Sequence, residues 1–198
     1  MKRERIKTSK EEIVKYWFYE KSIDESGLSI DASEANDRCW RCGCKNNLER
    51  CHIVPDSLGG KDEPSNLVLL CHRCHLDNPN ISDPEIMWDW IRAYGVAIYD
   101  TFWDRLGQKE YKFIYKKDFF QEMEELGITD SFELNSLIKN LAPEFLKNVS
   151  YHYGQPYMNV ATIAGVYRMI AKRIAKMKNK EIIDVRNLPR KPWWLGEE

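Results

Sequence analysis

The chain has 198 residues, 43% of them hydrophobic and 31% charged, with a formal net charge of −1; this composition excludes a disordered or fibrous protein and suits one ordinary domain or two small ones. No apolar run approaches the roughly 20 residues needed to cross a bilayer, and the opening Met1-Lys-Arg-Glu-Arg-Ile-Lys runs into charge rather than an apolar signal segment, so no membrane partner is expected and the cytoplasm is the default. The near-zero net charge conceals two opposite stretches. Residues 118–144 carry seven acidic groups against Lys139, and residues 166–192 carry nine basic groups against two acidic ones, an asymmetry that points to nucleic acid at one end.

In chain order, residues 1–36 read as a helical arm, with a helix over 9–21 that Ser9 can cap and Glu11 and Glu12 support at its positive end. Residues 22–36 are polar connection. Residues 37–80 change texture to short runs and turns: a strand-like Leu48 to Val54, a Gly59-Gly60 turn, and Asn66-Leu-Val-Leu-Leu entering a second cysteine pair. Residues 81–198 read as mainly helical, with helices over 83–107, 116–126, 131–149 and 160–180, the third broken or kinked at Pro143.

The last of these carries an apolar stripe, Ile163, Val166, Ile170, Ile174 and Met177, predicted to face a core. Arg168, Lys172, Lys176 and Lys180 recur four apart on the other face. Like charges at that spacing weaken an isolated helix, and a polyanion reverses the penalty, so these four are candidate DNA contacts. The alternative is a solvated helix paired with the acidic stretch 118–144. Ala161 to Ala171 also carries a faint helix-turn-helix spacing. The closing Pro192-Trp-Trp-Leu195 offers a dock on the body or on a second subunit, which leaves a homodimer open.

All six cysteines and three of the four histidines fall between residues 39 and 75. Cys39-Trp-Arg-Cys42 and Cys71-His-Arg-Cys74 are two-residue-spaced pairs separated by 28 residues, and four thiolates delivered from two tight knuckles match a closed, structural Zn²⁺ site. Cys44 is a spare thiol. A zinc module does not need His52, Asn66 or His75, which lie in the run Cys51-His52-Ile-Val-Pro55, Gly59-Gly60, Asn66-Leu67 and Cys71-His-Arg-Cys74-His75.

That ordered string closely resembles the HNH nuclease motif over about residues 39–80. The resemblance implies an α+β fold: a small ββα-metal module stabilised by the four-cysteine zinc site, with an N-terminal helix and a mainly α-helical C-terminal domain. It also implies a metal-dependent endonuclease acting on DNA, as in restriction, homing, phage and toxin nucleases. By the same resemblance His52 is the general base, Asn66 braces the hairpin loop, and Cys51 and His75 hold the catalytic metal. Cys51 departs from the Asp, Glu or His usual there, and a thiolate favours soft ions such as Zn²⁺ or Ni²⁺ over Mg²⁺ or Mn²⁺. Cys51 ligates a softer ion, or it stands aside, or Glu49 or Asp56 substitutes. Two rival readings stay open: a non-catalytic zinc module that binds nucleic acid, and a protein-interaction module if the basic helix is buried.

Overall fold

The computed structural model describes residues 6–182 and 184, and within these the chain divides into two compact units, the first ending at Trp103 and the second beginning at Asp104. The segment 192–195 lies outside the described residues.

The first unit opens on α1, Lys10–Val14, which continues as a π-helical turn over Lys15–Glu20. Ser9 starts it with a reciprocal capping box: its hydroxyl accepts the Glu12 N–H, and the Glu12 carboxylate accepts the Ser9 N–H at 2.7 Å. Strands β1 (Leu48–His52) and β2 (Leu67–Cys71) pair antiparallel, with Leu48 opposite Cys71 and His52 opposite Leu67. β2 is Leu-Val-Leu-Leu-Cys and buried throughout, which explains why it reads as a continuous apolar run rather than an alternating one. Helix α2, His72–Asp77, follows without a linker, completing the expected ββα unit. Trp40 fills the centre of this unit, its ring at 5.1 Å from Phe18 and its Nε1–H donating to the Ala35 carbonyl. Leu67, Leu69, Leu70, Met87 and Ile91 are fully buried.

The helix expected over 83–107 is in two pieces. Helix α3 covers Pro84–Arg92, capped by Asp83, and α4 covers Phe102–Tyr115. The interruption has a packing cause: a Cβ at Gly95 would lie 2.5 Å from the Gly27 carbonyl oxygen, so the chain turns there against a residue far away in sequence.

The second unit takes in α4 from Asp104 onward with α5 (Phe119–Glu125), α6 (Ser131–Leu146) and α7 (Val160–Met177). Its core gathers Tyr111, Phe119, Met123, Leu134, Ile170 and Ile174. Gly107 permits the close approach of α4 and α7, since a Cβ there would meet Ile163 at 2.3 Å. Pro143 does not end α6, which runs on to Leu146. Residues 161–171 lie within one continuous helix, so the helix-turn-helix spacing corresponds to no turn.

Two features of α7 correct the sequence reading. Of the expected stripe, Ile170 and Ile174 are buried and Val166 packs partly buried against the core, but Met177 is 59% exposed, and Ala164, Arg168, Ala171 and Ala175 complete the buried face. Arg168 therefore does not sit on a solvent-facing basic stripe. It is buried, donating to Glu122 at 3.0 Å and lying 4.3 Å over the Tyr115 ring, with Tyr111 also bonded to Glu122. The alanines on this face leave room for that guanidinium, and its charge is matched by a carboxylate as deeply buried as itself. Lys180 donates to the Glu125 carbonyl at 2.8 Å and Lys178 pairs with Glu133 at 3.4 Å, so part of the basic segment answers the acidic one. Lys172 and Lys176 are exposed. Among the described residues no helix is long and apolar enough to cross a membrane.

Candidate metal centre and cleft

The two knuckles meet because each is fastened to the sheet. The Gly43 N–H closes the first knuckle on the Cys39 carbonyl at 2.8 Å, and the Trp40 N–H bonds the Leu69 carbonyl of β2 at 3.1 Å. Gly43 takes φ +67°, and a Cβ on it would stand 2.9 Å from the Ser29 carbonyl oxygen, so both conformation and space call for glycine. Cys71 ends β2 and Cys74 lies on α2. The sulfurs of Cys39, Cys42, Cys71 and Cys74 all lie within 4.8 Å of one another, and all four residues are buried.

The Cys42 and Cys71 sulfurs are 3.7 Å apart, which matches the edge of a tetrahedron built on Zn–S bonds of about 2.3 Å. The donor set thus fits structural zinc. Cys44 is outside the cluster. Arg41, inside the first knuckle, adds a feature that the spacing did not disclose. Its Nη1 lies 3.8 Å from the Cys74 sulfur, while its guanidinium stacks 3.9 Å over Trp90 and 4.8 Å over Phe102. A cation held by aromatic faces beside a thiolate offsets part of the negative charge of a four-thiolate site.

A cleft of about 300 Å³ opens beside this centre, and Arg50, Cys51, His52, Asp56, Asp62 and His75 are among the residues lining it. His52 closes β1. Burial, opposed by the nearby carboxylates of Asp56 and Asp62, holds its pKa below the ordinary imidazole value, so at neutral pH the ring is free to accept a proton. The loop after it is clamped by Asn66. The Asn66 Oδ1 accepts the Val54 N–H at 2.9 Å, and its amide donates to the Val54 and Lys61 carbonyls at 3.0 Å each. Gly60 is required within the clamp, because a Cβ would fall 1.7 Å from the Val54 carbonyl oxygen. Gly59 turns the chain at φ +88°.

His75 faces the cleft from α2, and its Nδ1 lies 2.6 Å from the Glu49 carboxylate. Glu49 also reaches the Nδ1 of His72 at 2.9 Å. An acidic partner on Nδ1 sets the tautomer and leaves Nε2 to carry the lone pair, the usual support for a metal-binding imidazole. Cys51 is 1% exposed, and burial pushes its thiol pKa up to about 12.

His52, Cys51 and His75 are thus brought to one cleft, and Asn66 lies behind the loop that borders it. Among the described residues, the four cysteines are the only group of three or more such side chains with metal-binding geometry. Arg168, Lys172, Lys176 and Lys180 belong to the other unit. The spacing of cysteines and histidines could not reveal Arg41, Arg50 or the tie from Glu49 to both histidines. Alternation along β1, which puts residues 50 and 52 on the same side, is the signal that finds Arg50.

Residues 39–80 match the family model described as HNH endonuclease. No curated protein and no solved structure matches the chain. A domain of this kind with a four-cysteine metal site supports a nuclease or nucleic-acid-related function. With the ββα unit, the cysteine cluster and the family match coinciding on one segment, residues 39–80 are a domain of the HNH endonuclease family.

Proposed function

We propose that the protein is a metal-dependent endonuclease that hydrolyses DNA phosphodiester bonds, with His52 as general base. The observation that carries this reading is the common cleft of His52 and His75, one imidazole kept neutral by burial and the other oriented through Nδ1 by Glu49. Water attacking a phosphodiester must lose a proton, and a positioned base contributes about 10²–10⁴-fold to such a step. Asn66 keeps the loop bordering His52 from shifting, and a displacement of about 1 Å can cost roughly 10²-fold.

His75, with Cys51 as the candidate second ligand, would hold a divalent ion, which would supply Lewis-acid stabilisation of charge on the phosphate and the leaving 3′ oxygen. Cys51 would reach such an ion only as a thiolate, so the site favours Zn²⁺ or Ni²⁺ over Mg²⁺ or Mn²⁺. Lys172 and Lys176 are the exposed pair that would add phosphate contacts from the second unit.

The rival is a non-catalytic zinc module that binds nucleic acid, favoured by the finding that the four cysteines alone form a multi-ligand cluster among the described residues. Supercoiled plasmid incubated with purified protein and each of the four ions separates the two. His52→Ala should abolish nicking while zinc content and DNA binding persist, and excess metal should not restore it. Nicking by the variant at the wild-type rate returns the module to the binding reading.

A further inference from the structure

We infer that Arg50 grips the scissile phosphate and that Asp62, through the segment Ile6–Thr8, is the residue that positions it. The inference rests on the endonuclease reading and adds to it the substrate-contacting cation.

A phosphodiester anion entering this cleft meets carboxylates at Asp56 and Asp62, and among the described residues lining the cleft Arg50 is the only Arg or Lys. Arg50 stands two residues before His52 on β1. Side chains so spaced point to the same side of a strand, about 7 Å apart along it, a separation that suits one group taking a proton from water while the other holds the non-bridging oxygens. A guanidinium offers five N–H donors in a planar fork matched to phosphate. One of them, on Nη1, donates to the Thr8 carbonyl at 2.9 Å, which steadies the head and leaves the fork able to engage an anion.

The steadying carbonyl is itself fixed from several directions. The Asp62 carboxylate accepts the Lys7 N–H at 2.6 Å and the Thr8 N–H at 3.3 Å, and the Thr8 hydroxyl donates to the Asp62 carbonyl at 3.4 Å. Immediately after Thr8 the chain enters the capping box of α1. The π-helical turn beyond carries Trp17, whose Nε1–H bonds the Leu67 carbonyl of β2 at 2.8 Å. Ile6 lines the cleft itself. The N-terminal segment, in which Thr8 stands 42 positions before Arg50, is in this way tied to the cleft wall. The two backbone N–H groups on Asp62 hold its pKa below the usual carboxylate value and turn its charge toward the arm. These bonds give a long, otherwise mobile side chain one orientation before substrate arrives, which is what preorganisation requires.

The test is single-turnover plasmid cleavage by full-length protein at saturating DNA, with DNA affinity, zinc content and melting followed in parallel. Arg50→Gln should slow cleavage about 10²-fold, as loss of one preorganised donor does elsewhere, with unchanged zinc and a fall in affinity of only a few-fold. Arg50→Lys, which keeps the charge but not the fork, should recover less than a tenth of the loss. Asp62→Ala should slow cleavage about tenfold and add nothing to Arg50→Gln in the double variant, because it acts through Arg50. Should Arg50→Gln disturb folding, Arg50→Lys decides: a folded Arg50→Lys protein cleaving at the wild-type rate overturns the proposal and leaves the endonuclease reading intact. Multiplicative losses in the double variant overturn the role given to Asp62. A wild-type protein that nicks nothing with any of the four ions overturns the endonuclease reading, and this inference with it.

Discussion

The two units reach stability by different chemistry. In the first, the hairpin and the six-residue α2 surround four buried cysteines, and neither five-residue strand is long enough to stand alone. In the second, the core is apolar, with a deeply buried Glu122–Arg168 pair set among Tyr111, Phe119 and Ile170. The difference shows where chemistry can be carried. A segment built round a four-cysteine cluster sets His52 at a strand end and His75 on a short helix facing one cleft, with Asn66 bracing the loop beside it, whereas a packed helical core uses its charged residues to specify its own assembly.

Removing the metal should give the largest effect. Structural zinc in small modules supplies about 10–16 kcal/mol of apparent free energy, comparable with a typical domain's whole stability of about 5–15 kcal/mol. Cys71→Ser, or chelation of the wild type, should abolish hydrogen-exchange protection across 39–80 while the amides of α5 to α7 stay protected. Zinc-free protein that keeps β1 and β2 protected would erase the contrast between the units.

The converse perturbation is Arg168→Met. Breaking a buried ion pair by removing one partner costs about 3–5 kcal/mol, because the remaining charge is stranded. Thermal unfolding should lose the second unit's transition while zinc stoichiometry holds. Adding Glu122→Leu should recover most of the loss, since replacing both partners with apolar groups is often neutral. If the single variant melts like the wild type, the pair does not specify this core.

A smaller effect should follow from Glu49→Gln. Outer partners of metal-binding histidines are worth about 10–100-fold in affinity, so the metal concentration that supports half-maximal cleavage should rise by that factor with zinc content unchanged. An unshifted metal dependence would leave Glu49 as a hairpin tether only.

Legibility from sequence follows the same division. The four clustered cysteines, the ββα order and the His52, Asn66 and His75 string are local, so spacing and resemblance located them; the hydrogen bonds of Asn66 to Val54 and Lys61 give its position a physical reason. What spacing could not carry is long-range. Arg168 shares a four-residue period with Lys172, but its partner Glu122 is 46 residues away, and a helical period cannot say which of two faces will meet a carboxylate. The break between α3 and α4 depends on Gly27 approaching Gly95, and Arg50 is fixed by Thr8. Each needs a neighbour that no window of sequence contains.

The smallest expected effect concerns the exposed remainder of α7. With Arg168 consumed by Glu122 and Lys180 engaged with the Glu125 carbonyl, the proposed DNA-facing stripe of four reduces to Lys172 and Lys176. Removing one phosphate-binding cation should flatten the plot of log affinity against log salt by about 0.9, so the double Lys172→Ala, Lys176→Ala variant should lose about 2 in slope and weaken on every DNA sequence alike. Melting should not change, because neither side chain is buried. Arg168→Met serves as the control that separates the two uses of basic charge: it should lower stability, and conditions that keep it folded should leave its salt slope at the wild-type value. Equal slopes for the wild type and the double lysine variant would mean that α7, like the core it covers, spends its charge on the fold alone.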